Sequence, residues 1–136
     1  MKTNELMIGD WVLHDREPYQ IRQLGIYGVD RDGEDYPAVC VGKPNGVGLI
    51  VERNEIEPIL LIPEILEKNG FVLKEEEKGA YGVDIAPYYT RDDVPFEVFC
   101  DGEPFAIWFK DPVNIKYVHQ LQNAMRLCGI EKEIVL

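Results

Sequence analysis

Four runs in the first 60 residues constrain the fold most: IGDWVLH (8–14), PYQIRQL (18–24), YPAVCVG (36–42) and VGLIVER (47–53). Each is short, rich in β-branched and aromatic residues, and bounded by Asp, Gly or Pro, so each reads as a strand. Asp32-Gly33 and Asn45-Gly46 are strong turn dipeptides, because both supply residues that tolerate positive φ. Strands at this spacing predict a small antiparallel β-barrel of the SH3-like kind over residues 1–60.

The period changes in IEPILLIPEILEKNGF (56–71). Pro63 suits a first helical turn, Ile65 and Leu66 point inward, and Asn69-Gly70 followed by Phe71 is a left-handed stop. Beyond this short joining helix, FVLKEEE (71–77) and YGVDIA (81–86) read as strands, and a polar loop runs near Thr90 to Asp93. FEVFC (96–100) and PFAIWF (104–109) flank Asp101-Gly102-Glu103 and make a hairpin. Both faces of that hairpin are apolar, which requires a helix on one side and a neighbouring lobe or subunit on the other. Asp111-Pro112 is a helix start signal, with Asn114 as a later cap, and Gly129 is the stop. EKEIVL (131–136) reads as a closing strand with a tucked apolar end. The expected fold class is α+β: the barrel-like lobe 1–60, joined by a short helix to a lobe 61–136 in which an antiparallel sheet packs against one long C-terminal helix, the two forming one compact unit.

A chain of 136 residues buries roughly two-thirds of its unfolded surface and needs no staples. The formal net charge is -11, and it is spread: residues 1–62 hold 6 basic against 11 acidic residues and residues 63–136 hold 8 against 14. Such a field repels nucleic-acid phosphates and anionic lipid alike, so direct nucleic-acid binding and membrane association are both disfavoured. Cys40, Cys100 and Cys128 are odd in number and sit among apolar neighbours, which reads as buried free thiols in a reducing compartment. No signal-peptide pattern and no run of 18 apolar residues is present, so the expected location is the cytoplasm.

On a helical wheel, Tyr117, Val118, Leu121, Ala124, Met125 and Cys128 form a buried stripe. Lys116, His119, Gln122, Asn123 and Arg126 fall on the opposite arc, with Gln120 and Leu127 between. His119, Gln122, Asn123 and Arg126 are therefore candidate binding residues, a hydrogen-bonding surface able to read a peptide edge; a solvated outer face is the plainer reading. Tyr88 and Tyr89, adjacent after Pro87, are hard to bury together and form a second candidate contact surface. Trp11 and Trp108 are expected in the core.

Catalytic and metal constellations are missing from the pattern. Two histidines, His14 and His119, stand in separate halves without Cys-x-x-Cys, so no metal site is predicted. VDRDGEDY (29–36) tempts a calcium reading, but its glycine falls at position four and no glutamate closes the loop, so it reads as a solvated hairpin tip. The chain contains no serine, and GKPNGVG (42–48) lacks the ending that cradles phosphate. Glu97, Asp101 and Glu103 read as surface charge on the hairpin. No catalytic residue and no cofactor is predicted, and the chain is expected not to be an enzyme.

NELMIGDWV (4–12), IEPILLIPEILEKNGF (56–71) and IKYVHQLQNAMRLCG (115–129) resemble a family of short bacterial proteins from gut anaerobes, often found among prophage or mobile-element genes. The resemblance implies a bacterial, intracellular, phage-linked accessory protein and transfers no activity. The expected function is binding to a protein partner, with homodimer formation as part of it. The alternative is association with nucleic acid through the barrel, for which Arg16, Arg22, Arg31, Lys43 and Arg53 are the nearby bases, or mimicry of nucleic acid by the acidic surface.

Overall fold

The computed structural model describes residues 5–75 and 86–136. The chain divides into two compact units, Met1–Ile59 and Leu60–Leu136. Each contains one five-stranded antiparallel sheet, and two short helices complete an α+β fold.

In the first unit the strands are β1 (Trp11–His14), β2 (Glu17–Val29), β3 (Asp35–Gly42), β4 (Gly48–Glu52) and β5 (Ile56–Pro58), with a 3-10 turn at Arg53–Glu55 between the last two. The order β4-β3-β2-β1-β5 is a four-strand meander whose last strand returns to pair with β1. No ladder among the described residues joins β4 to β5, so the closed barrel predicted from strand spacing is instead an open sheet. Register shifts between Ile21 and Gln23 and between Gln23 and Ile26 interrupt the β2–β3 ladder. Bulges of this kind bend a strand without requiring closure. Alternation sends Val12, Ile21, Val39, Val41, Val51 and Ile56 into one cluster with Leu6, and Tyr19 and Leu24 pack against it. Trp11 is buried as well.

Ile8 and Gly9, expected in the first strand, lie in a turn. It is closed by the Asp10 amide donating to the Met7 carbonyl at 3.1 Å and the Met7 amide donating to Asp10 Oδ2 at 2.8 Å. Asp15 (φ 48°) and Arg16 (φ 65°) are the two loop residues between the paired His14 and Glu17. Consecutive positive φ in a two-residue loop is the type I′ signature, normally supplied by Asn-Gly. Asn45-Gly46 behaves differently from its prediction, because neither residue has positive φ. Pro44 and Asn45 are central to a turn closed by the Gly46 amide on the Lys43 carbonyl at 3.0 Å, where proline's fixed φ suits the second position.

In the second unit, helix α1 (Pro63–Lys68) starts on its proline as predicted and buries Leu66, with Ile65 only half-buried. Gly70 (φ 84°) follows, the Phe71 amide donates to the Leu66 carbonyl and the Gly70 amide to the Glu67 carbonyl. Those two bonds are a Schellman stop, and the same pair recurs after Gly129 (φ 76°), from Ile130 to Met125 and Gly129 to Arg126. The sheet has order β10-β9-β8-β7-β6, formed by β6 (Val72–Lys74), β7 (Tyr88–Thr90), β8 (Phe96–Phe99), β9 (Phe105–Trp108) and β10 (Asp111–Val113). The predicted hairpin is present as β8–β9, from Phe96 opposite Trp108 to Phe99 opposite Phe105. The strand expected over 81–86 falls outside the described residues, apart from Ala86, which has no regular structure.

Two predictions fail at the C-terminal end. Asp111-Pro112 does not begin a helix: Asp111, Pro112 and Val113 pair with Trp108, Ile107 and Ala106 as the edge strand β10. A proline is tolerated there because its missing N–H faces away from the ladder. Helix α2 is therefore short, Val118–Leu127, ten residues long rather than a long helix from 111. Its start is held by Gln120, whose Oε1 accepts from the Lys116 and Tyr117 amides at 2.8 and 3.0 Å. The closing strand is also absent, because residues 130–136 have no regular structure. The end is tied down all the same: Asn69 Nδ2 donates to the Val135 carbonyl at 2.7 Å, and the Val135 amide donates to Asn69 Oδ1 at 2.8 Å. Asn69 is buried, and its side-chain amide does the pairing that a neighbouring strand would have done.

Candidate functional site

The polar arc of α2 is not a solvent-facing surface. His119 is 1% exposed and Gln122 3%, as deeply placed as the stripe of Val118, Leu121 and Met125. Asn123 and Arg126 are half-buried and bind each other through Arg126 Nη1 and Asn123 Oδ1 at 3.2 Å, while Arg126 Nη2 reaches Glu133 Oε2 at 3.4 Å. The His119 ring lies parallel to Tyr117 with centroids 5.8 Å apart. The exposed side chain of this helix is Leu127, at 80%, which the wheel had placed at the boundary.

Tyr88 and Tyr89 belong to strand β7 rather than to a loop, and strand alternation resolves the difficulty of burying both, since neighbours point to opposite faces. Tyr89 is buried, and its hydroxyl donates to Glu67 Oε1 at 3.0 Å. Burial, followed by the bond to Glu67, raises the Tyr89 pKa. Tyr88 is half-buried with its ring 5.6 Å from Phe99.

Register assigns the two faces of this sheet. Tyr89, Val98 and Ala106 stand opposite one another on the buried face, with Phe96 and Trp108 beside them. Phe99 and Phe105 pair on the other face, as do Glu97 and Ile107, and Ile107 with Pro112. There the rings of Phe99 and Phe105 stack at 5.0 Å with an interplanar angle of 7°, and Phe105 remains 40% exposed. At one end, Phe109 (φ 50°) and Lys110 (φ 70°) form the loop between Trp108 and Asp111, a second type I′ signature built without glycine or asparagine. Phe109 is 81% exposed, stacked on Trp108 at 6.1 Å. Trp108 is only half-buried, short of its predicted core position, and among the described residues its Nε1 finds no acceptor. Phe105 and Phe109 were not singled out as contact residues from the sequence, although apolar residues on both faces of the hairpin carried the signal.

Elsewhere, a cavity of about 690 Å³ is lined by Leu13, His14, Asp15, Arg16, Glu55 and Glu57. His14 Nε2 lies 3.6 Å from Asp15 Oδ2, but none of the lining side chains is a serine, threonine or cysteine that such a pair would activate. Among the described residues no group of three or more His, Cys, Asp or Glu could hold a metal ion. The 29–36 tip is closed by Asp30 Oδ1, which accepts from the Asp32 and Glu34 amides at 2.8 and 2.9 Å. The three cysteines are free and half-buried rather than fully buried, and burial pushes the Cys100 thiol up to about 11. Of the bases near the first sheet, Arg22 donates to the Lys43 carbonyl, and Lys43 Nζ lies 3.1 Å from Glu17 Oε2 and over the Tyr19 ring. Among the described residues no helix is long and apolar enough to cross a membrane.

The sequence matches no protein-family profile, no curated protein and no solved structure.

Proposed function

We propose that the protein works without catalysis, by binding another protein through the outer face of β8–β9 and the Phe109 tip, with a second copy of this chain as the first partner. The observation that carries this reading is Phe109. A large apolar side chain, 81% exposed, is held in a left-handed conformation that costs about 1–2 kcal/mol. Local strain of that kind is retained where a side chain has to be presented. Phe105 and Ile107 add apolar surface on the outer face of β9, apart from the Phe109 ring, which rests on Trp108 at the end of the hairpin, and an exposed aromatic over a packed sheet is the usual anchor of a protein contact. His119 and Gln122 are withdrawn from this surface by their burial.

The first sheet, on this reading, is an open relative of an SH3-like barrel. Support comes from a meander of four strands, a 3-10 turn, and a fifth strand that returns to β1. The same reading takes the protein for a bacterial, phage-linked accessory protein, and its support is the resemblance carried by residues 4–12, 56–71 and 115–129. Nucleic-acid association has less behind it, since Arg22 and Lys43 are already engaged within the sheet.

Light scattering over a concentration series tests the proposal. Wild-type mass is expected to rise toward that of a dimer, while Phe105→Lys and Phe109→Gly stay monomeric with unchanged far-ultraviolet circular dichroism. A wild type that stays monomeric, together with variants that capture the same host proteins as wild type does, would overturn it.

A further inference from the structure

The two sheets have four edges, and three are blunted in the ways that natural sheets use against stray pairing. Strand β5 is three residues long and ends on Pro58. Strand β6 is three residues long and ends on Lys74, and β10 is three residues long with Pro112 at its centre. Strand β4 has none of these devices. It runs five residues, Gly48–Glu52, without proline, lysine or a register shift against β3, and no described strand pairs with its outer side. Leu49 is 45% exposed and Ile50 61%, and Val47 just before them is 89% exposed.

We propose that the β4 edge is a strand-addition site for an extended segment of a partner protein, apolar at alternate positions and basic at the end that meets Glu52. Main-chain hydrogen bonds to β4 would supply affinity; Ile50 would receive the alternate apolar side chains, and Leu49, on the opposite face of the strand, the side chains between them. Charge selects the occupant. Glu52 closes the strand, Glu55 follows in the 3-10 turn, and Asp35 stands where β3 overruns β4 past the Ala38–Glu52 pair; Arg53 lies between the two glutamates. On the Gly48 side the base is Lys43, which is committed to Glu17. A second copy fits this edge poorly, because one five-residue edge buries less than the roughly 1,000 Å² a stable interface between two folded chains needs. The site is separate from the aromatic face of the second sheet and stands or falls without it.

The test uses the full chain and a fluorescein-labelled peptide, Lys-Val-Thr-Val-Thr-Val-Lys. Controls are the same peptide with glutamate at both ends and one with proline at the central position. Anisotropy is expected to show the basic peptide binding at least tenfold more tightly than either control, and amide exchange to slow along β4 upon its addition. Ile50→Lys, at an exposed position that leaves the fold intact, is expected to weaken binding about tenfold, and Ile50→Thr to weaken it less. Equal binding of the proline peptide, or protection mapping away from β4, overturns the proposal. Protection of β4 that grows with protein concentration in the absence of peptide does so too, by making a second copy the occupant.

Discussion

Both sheets have five antiparallel strands, yet they dispose of their apolar residues in opposite ways. The first sheet, bulged along a 13-residue β2, gathers Val12, Ile21, Val39, Val41, Val51 and Ile56 into one cluster from its own strands and leaves its weakness at an edge. The second is made of strands of three or four residues; it buries Phe96, Val98 and Ala106 on one face, in a unit that also buries Val118, Leu121 and Met125 of α2, and leaves its weakness on the other face. A long bent sheet gathers a core from its own strands, whereas the short one buries a single face of its hairpin and has a side left over.

The contrast between the two faces of the second sheet gives the largest expected effect. Phe96→Ala removes a ring that is 2% exposed and should cost about 3–5 kcal/mol in denaturant unfolding. Phe105→Ala, three pairs along the same hairpin, should cost no more than about 1 kcal/mol while abolishing self-association. Equal destabilisation by the two would show that the outer face is core and end the comparison.

Next in size is Asn69. Replacing it with alanine leaves the Val135 amide and carbonyl without their partner, a loss of about 1–2 kcal/mol, and should speed hydrogen exchange at residues 134–136. No change in exchange there would mean that Ile134 alone anchors the segment.

The two type I′ loops sharpen the comparison between sheets. Arg16→Gly and Phe109→Gly both relieve a positive φ and should each stabilise by up to about 1 kcal/mol. Only the second should reduce association. Loss of self-association in Arg16→Gly as well would point to a general effect of loop mobility.

The smallest effect is chemical. With its pKa raised by burial from 9.0 to about 11, Cys100 should react with iodoacetamide at neutral pH about a hundredfold more slowly than an ordinary thiol. Because folding raises this pKa, and that of Tyr89, the stabilisation is complete below the unfolded values and is lost as pH rises through the folded ones. Melting temperature is therefore expected to fall between about pH 9 and 11 and to fall less in Cys100→Ala. An unchanged slope in that variant would assign the effect elsewhere.

Much of the local stereochemistry was legible, though not the positive-φ loops at Asp15-Arg16 and Phe109-Lys110. The strands of residues 11–52, the Pro63 start, the stops at Gly70 and Gly129, and the hairpin turning at Asp101-Gly102-Glu103 all follow from residues acting within a few positions of themselves. Asp111-Pro112 misled because the same dipeptide serves a helix start or a sheet edge, and the neighbouring β9 strand decides between them. The arc of His119 and Gln122 misled because a wheel orders the side chains around a helix but does not say how many sides are covered. Sequence by itself determined an acidic α+β chain, rich in strands and turns, with no assembled catalytic pattern. Tertiary structure alone decided that the polar helix face is interior, that the first sheet stays open, and that Phe109 and the β4 edge face outward, because burial depends on what the rest of the chain brings to each face.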